Sequence, residues 1–279
     1  MRLYLCGTRG SIPAPGAEFT RFGGDTSCVA VARDDDVPTL ILDAGTGVRE
    51  VTRLLAGRPF AGAILLSHLH WDHVQGLPFF RAGDTDGARV ELLLPEQEDG
   101  AGAEAVLERT MSPPHFPIRP RDLRGAWTFS TLAPGRHAVA GFAVQAREVP
   151  HKGGRTFGYR VTDGRSVLAY IPDHSPTSLG PGPDGWGEYH AAAVQLARGA
   201  DVLIHDATLL PEELAAEAPF GHAAADYAVA LAEAAGARQV ILFHHRPDRT
   251  DDELDRLGSR LAHAPVPVTV GAQRDIVSL

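Results

Sequence analysis

The segment LSHLHWDHVQGLPFF, residues 66–80, constrains the fold more than any other part of the chain. It places His68, His70, Asp72 and His73 within six residues, directly after the apolar run AILL. Such a run reads as a buried strand, and the turn that follows it can aim all four polar groups inward. Neutral imidazole and carboxylate are the usual ligands of zinc and similar divalent ions, so a metal site at a strand end is expected here.

The rest of the chain can support such a site. Its 279 residues are 44 % hydrophobic, ample for one large domain or two small ones. A formal net charge of −9 argues against a broad basic footprint for nucleic acid or anionic membranes. Cys6 and Cys28, in LYLC and TSCVAV, read as small core residues and supply no disulfide framework. The apolar start breaks at Gly7, too early for a signal segment, and no apolar run approaches the roughly 18 residues of a membrane span. A cytoplasmic location with no membrane contact is the expectation.

Short β-like runs are expected at Arg2–Cys6, Ser27–Ala32 and Thr39–Leu42, separated by GTRGSIPAPG and the acidic turn ARDDDVP. A helix at Val48–Ala56, a strand at Ala63–Leu66, a strand at Arg89–Leu94 and a helix near Ala103–Thr110 follow. The Pro-rich SPPHFPIRP reads as a surface loop, and FAVQAREVPH, TFGYRVTD and SVLAYIPDH as three successive strands of a second sheet. The last third offers helices near Glu188–Arg198, Ala223–Ala235 and Asp251–Ala262, with strands at Val202–His205 and Val240–Phe243. β-rich then βα order in each half predicts mixed α and β structure: two sheets face to face with helices outside, a four-layer αββα sandwich built as a single domain over residues 1–279. A doubly wound sheet would need a glycine-rich phosphate loop after the first strand, and GTRGS is a poor match.

His68-Leu69-His70-Trp71-Asp72-His73 reproduces H-x-H-x-D-H, and in this the sequence resembles the metallo-β-lactamase superfamily of binuclear hydrolases. The resemblance implies a later histidine, a bridging acid and a last histidine at strand ends. EVPH supplies His151, YIPDH supplies Asp173 and ILFHH supplies His244. It further implies one metal on His68, His70 and His151, another on Asp72, His73 and His244, and Asp173 bridging both. Zinc is the expected ion, while the same ligand types also accept manganese or iron. His245 and His174, beside two of these residues, are implied to be at most supporting groups. Asp43 in LILDAGTG matches an acid that holds the ligand histidines or backbone by hydrogen bonds.

The C-terminal part narrows the resemblance to ribonuclease Z and its phosphodiesterase relatives. There a His-Glu-Ala-Thr run precedes a Gly-His-Ser/Thr run; here stand His205-Asp206-Ala207-Thr208 and Gly221-His222-Ala223-Ala224. The implied catalytic groups are His222, oriented by Asp206, as general acid, with Asp72 at the metal-activated hydroxide. Ribonuclease Z carries a long tRNA-gripping arm between the third and fourth metal motifs, whereas only 21 residues separate His151 from Asp173 here. With the negative net charge, that makes tRNA a poor substrate and points to a small phosphodiester, such as a cyclic nucleotide or cyclic sugar phosphate. The resemblance also implies a homodimer.

Arg9, Trp71, Lys152, Arg155 and Arg246 lie near the motifs and are candidates to shape a pocket, with His115 and Phe116 or Trp186 on loops above it. Two other readings stay open on the same residues. One is a hydrolase of C–O, C–N or C–S bonds, such as a lactonase, thioesterase or sulfatase; the other is a non-catalytic biosynthetic accessory protein.

Overall fold

The computed structural model of the protein describes residues 1–34 and 36–279. The first half lays down six strands: β1 (Arg2–Gly7), β2 (Cys28–Ala32), β3 (Leu40–Leu42), β4 (Ala61–Leu65), β5 (Arg89–Pro95) and β6 (Ala126–Leu132). The second half adds β7 (Gly135–Val139), β8 (Phe142–Glu148), β9 (Phe157–Thr162), β10 (Val167–Ile171), β11 (Val202–Asp206), β12 (Val240–Phe243) and β13 (Val268–Val270). A last strand, β14 (Ile276–Ser278), returns to pair antiparallel with β1. Two seven-stranded sheets result, ordered β14-β1-β2-β3-β4-β5-β6 and β13-β12-β11-β10-β9-β8-β7.

Three apolar clusters define the layers. Leu3, Leu5, Val29, Leu42, Leu65, Tyr159, Leu168, Tyr170, Ile204 and Phe243 meet between the sheets, one from every second position of their strands. The opposite faces carry helices. Val48 and Val51 of α1 (Val48–Leu54) cover the first sheet, together with Ala103 and Leu107 of α3 (Ala103–Glu108), which follows the single-turn α2 (Trp71–Val74). On the second sheet lie α4 (Ala191–Ala197), α6 (Ala225–Ala235) and α7 (Asp251–Arg260), with the short α5 (Leu214–Glu217) beside them. This is the αββα sandwich expected from the sequence, and the doubly wound alternative is excluded.

Element boundaries follow local chemistry. The alanine-rich α6 stops at Gly236, whose left-handed φ of 66° terminates the helix at no Cβ cost. Thr250 and Glu253 close a capping box at the start of α7. The strands β6, β7, β13 and β14 were not anticipated. All four lie at or next to sheet edges, and β13 and β14 are three residues each with no buried side chain. Cys6 and Cys28 are buried and unpaired, as their surroundings suggested.

Candidate metal centre

The site forms where strand ends converge. β3 and β4 run parallel, as do β10, β11 and β12, so their C-terminal ends open on one crevice. Asp43 follows β3, His68 and His70 follow β4, Asp173 follows β10, Asp206 ends β11 and His244 follows β12. The antiparallel pairs β8–β9 and β9–β10 bring the C-terminal end of β8, and with it His151, to the same side. Asp72 and His73 sit on the one-turn helix α2, entered through His70. Gly10 is required beside it, because a Cβ there would stand 2.2 Å from the His244 ring.

Three overlapping groups of donors lie within coordinating reach: His68, His70, His151 and Asp173; Asp72, His73 and His244; and Asp173, His222 and His244, the ligand atoms of each group falling within 4.8 Å of one another. Asp173 faces the first two. Its Oδ2 is 3.3 Å from His151 Nε2 and 3.7 Å from His68 Nε2, while its Oδ1 is 3.1 Å from His73 Nε2 and 3.3 Å from His244 Nε2. His244 Nε2 is also 2.9 Å from Asp72 Oδ2, which accepts a hydrogen bond from the Ser11 amide at 2.6 Å.

Hydrogen bonds behind the rings assign their tautomers. His73 Nδ1–H donates to Asp43 Oδ2 at 2.8 Å, and His151 Nδ1–H donates to the Gly221 carbonyl at 2.6 Å. Ser67 gives its hydroxyl proton to Asp43, so its oxygen accepts from His68 Nδ1–H at 3.0 Å. The Thr208 hydroxyl, whose own proton goes to Asp206 or to the His244 carbonyl, likewise accepts from His244 Nδ1–H at 2.9 Å. Each of these four rings therefore turns its Nε2 toward the cluster, the position from which a neutral imidazole would ligate a metal ion.

The ring nitrogens crowd together: His73 Nε2 and His244 Nε2 are 3.3 Å apart, and His151 Nε2 and His70 Nδ1 are 3.2 Å apart. His68 Nε2 and Asp173 Oδ1 are buried with no hydrogen-bond partner. Buried orphaned acceptors carry a desolvation cost, which a cation held among these donors would relieve. The donor set therefore fits divalent metal ions, mixed imidazole and carboxylate being suited to zinc, manganese or iron.

The electrostatics reflect this crowding: burial opposes the charging of His73, but Asp173, Asp72 and Asp43 lift it above its usual value. Burial would raise the Asp173 and Asp72 carboxyls, but the surrounding histidines outweigh it and hold both below the usual carboxylate range. Burial, reinforced by the neighbouring His73, pushes His68 well below its usual value, keeping its ring neutral. At the edge of the cluster stands His222, whose Nδ1–H donates to Asp206 at 3.0 Å. Burial opposes its charging, yet Asp206 and then Asp173 override that and lift it to about 9. Asp206 is itself fixed by the amides of His174, Thr208 and Ala223 and by the Thr208 hydroxyl.

The candidates on either side divide. His245 turns away, its Nε2–H donating to the Gly271 carbonyl, and burial depresses it to about 3. His174 lies beneath the site against His205. Trp71 and Arg246 line the cleft over the donors, a cavity of about 850 Å³. Arg9 does not: it is fully buried and donates to the carbonyls of Gly23, Arg246 and Arg249. Arg155 is paired with Glu96 and Glu148 outside the cleft, and Lys152 lines the adjoining pocket. His115 and Phe116 border a groove on the far side of Trp71, and Trp186 packs against the apolar layer under α4 and α6. Sequence reasoning missed Ser67 and Tyr170, both of which donate to Asp43. A hydroxyl directly before the motif was the available signal for Ser67; a tyrosine in a buried strand, needing an acceptor, was that for Tyr170.

Comparison with known proteins converges on the same fold. Residues 39–245 match the family described as a β-lactamase superfamily domain. A ribonuclease Z of Synechococcus sp. (strain CC9311) is 27 % identical, the alignment covering 88 % of each chain. Among solved structures, the metallo-β-lactamase fold protein YhfI from Bacillus subtilis superposes with a TM-score of 0.71 at 17 % identity, over 99 % of both chains. The short form of human tRNase Z gives 0.68 at 20 % identity, over 100 % of this chain and 99 % of that one. With the family model spanning most of the sequence, the chain belongs to the β-lactamase superfamily, as a metal-dependent hydrolase of the metallo-β-lactamase fold.

Proposed function

We propose that the protein is a dinuclear phosphodiesterase acting on a small phosphodiester, such as a cyclic nucleotide or cyclic sugar phosphate. The observation that carries this reading is the His222–Asp206 pair, held at 3.0 Å beside two donor sets that Asp173 faces with its two oxygens. His68, His70 and His151 would hold one ion, Asp72, His73 and His244 the other, with Asp173 between them. Zinc is the preferred ion. Bound there, two divalent ions supply Lewis acidity toward phosphoryl oxygens and an acidified water as nucleophile.

The chain's own groups do the rest. His222 has Nδ1 committed to Asp206, so its Nε2–H is the proton offered to a leaving oxygen. Asp206, buried and fixed by three amides, keeps that imidazole charged and correctly turned. Asp43 and Thr208 hold the rings of His73 and His244 from behind. A phosphodiester needs such an acid because its alkoxide leaving group is a poor one; an activated thioester does not. The relatives named ribonuclease Z supply the phosphodiester chemistry by analogy, but only 21 residues, spanned by β9 and β10, lie where a tRNA-gripping arm would be inserted. A homodimer and a cytoplasmic location belong to the same reading; among the described residues, no helix is long and apolar enough to cross a membrane.

The test is metal analysis joined to a substrate panel: bis-p-nitrophenyl phosphate, 2′,3′- and 3′,5′-cyclic nucleotides, precursor tRNA, lactones and thioesters. Two equivalents of metal and turnover of a small diester are expected. Activity confined to lactones or thioesters, or full loading with no turnover of any ester, would sink the proposal. His222→Ala is expected to lower kcat on unactivated diesters by about 10²–10⁴-fold, and less on p-nitrophenyl esters, whose leaving group needs no proton.

A further inference from the structure

Among the described residues, seven large hydrophobic side chains are exposed. The three most exposed are Trp71 at 71 %, Phe220 at 63 % and Ile12 at 60 %, and all three line the one cleft that contains the metal donors. They come from α2, from the turn before Gly221 and from the loop after β1, so no single element's packing brings them together. Exposed apolar groups scattered singly need no explanation, but three converging on a polar centre do.

The charges of the same cleft point the same way. Arg246 is its one arginine, and it is already engaged: Nη1 donates to Glu217 at 2.5 Å and Nε donates to Asp248 at 2.6 Å. Both carboxylates also line the cleft. Apart from His222, whose charge is matched by Asp206, an entering anion finds Arg246 neutralised by Glu217 and Asp248; Lys152 stands in the adjoining pocket, its Nζ 5.9 Å from the Phe220 ring. Apart from the donors, the surface above the centre therefore favours uncharged, apolar surface and opposes any second anionic group.

From this we infer that Trp71, Phe220 and Ile12 form a subsite for an apolar or aromatic ester group of the substrate. The cleft then selects monoanionic diesters carrying such a group against diesters that bear a further phosphate. This rests on the phosphodiesterase reading and specifies its substrate class.

The experiment uses the metal-loaded protein and three diesters with a common p-nitrophenolate leaving group: methyl p-nitrophenyl phosphate, phenyl p-nitrophenyl phosphate, and an alkyl p-nitrophenyl phosphate with a terminal phosphomonoester. The phenyl ester is expected to exceed the methyl ester at least tenfold in kcat/KM, the size of discrimination an apolar pocket supplies. Trp71→Ala and Phe220→Ala bring that ratio toward one, Trp71→Phe keeps most of it, and Leu179→Ala, exposed elsewhere, leaves it alone. The phosphorylated diester falls tenfold or more below the methyl ester, and Glu217→Gln, by removing one of the carboxylates that neutralise Arg246, recovers part of that loss.

Equal rates for phenyl and methyl esters, an unchanged ratio in both alanine variants, or acceleration by the added phosphate would overturn the inference. So would light scattering in which Trp71→Ala and Phe220→Ala dissociate a dimer without changing the ratio, since those side chains would then belong to an interface between copies. Calorimetric binding separates this failure from failure of the phosphodiesterase reading. If no diester is turned over, yet monomethyl phenylphosphonate binds tenfold tighter than monomethyl methylphosphonate and the preference vanishes in Trp71→Ala, the apolar subsite stands and the reaction class falls.

Discussion

Asp43 ties three parts of the site together from behind the ligand rings. Its Oδ1 accepts from the Ser67 amide at 2.6 Å, and its Oδ2 accepts from the Ser67 hydroxyl, His73 Nδ1 and the Tyr170 hydroxyl, each at 2.8 Å. It is also held at a φ of 59°, a left-handed conformation that Asp and Asn tolerate better than other side chains. Asp43→Asn keeps the backbone but replaces an acceptor oxygen with an amide, leaving one buried donor facing another. Metal affinity, measured by chelator competition, is expected to fall about 10–100-fold. An affinity within twofold of the parent would reduce Asp43 to an ordinary turn residue. The position of Asp43 before the motif made it legible as a supporting acid, whereas Tyr170 lies 127 residues away and meets it only across the two sheets.

Helix α7 shows how far local sequence reaches at the level of an element. Thr250 and Glu253 spell a capping box: Glu253 Oε2 accepts from the Thr250 amide at 2.7 Å, and the Thr250 hydroxyl accepts from the Glu253 amide at 3.4 Å. Thr250→Ala is expected to cost about 1 kcal/mol in urea unfolding. The hydrogen bonds from the Thr250 amide and hydroxyl hold the Glu253 carboxyl below its usual 4.5. A depressed carboxyl stabilises fully above its unfolded value and loses that contribution as pH falls through the lowered one. Stability should therefore decline below about pH 4.5, with a shallower decline in Glu253→Gln; superimposable pH profiles would refute the assignment. What lies outside local reach is the other end of this helix's role. Asp251 accepts from the amides of Arg21 and Phe22, tying α7 to the loop after β1, a pairing across about 230 residues that no pattern near either segment announces. The strands β13 and β14 escaped notice for the same reason: three-residue edge strands exist because a distant partner, β12 or β1, offers them hydrogen bonds.

For the molecule as a whole, scaffold and centre make separable predictions. Leu168 is fully buried between the sheets at the start of β10, at the opposite end of that strand from Asp173. Leu168→Ala is expected to cost about 2–5 kcal/mol of unfolding free energy while leaving the affinity for metal within a few-fold. A large loss of affinity would show that the core and the site are one cooperative unit. Conversely, the buried, partnerless His68 Nε2 and Asp173 Oδ1 should make the fold prefer its ions. Metal at about 100 times its Kd should stabilise the protein by about 2.7 kcal/mol, read as a rise in Tm that EDTA abolishes. No shift would argue that the donors are satisfied without metal. By itself the sequence pointed to the layer architecture and to His68, His70, Asp72 and His73 as donors, because strand periodicity and the spacing H-x-H-x-D-H are local properties; His151, Asp173 and His244 followed only from the resemblance. Only the tertiary structure decided which nitrogen of each ring faces the centre, that His244 rather than His245 turns inward, and that Arg9 is a buried strut while Trp71, Phe220 and Ile12 line one cleft. Those outcomes depend on hydrogen bonds and packing between segments far apart in the chain, whose geometry exists only once both sheets have closed on each other.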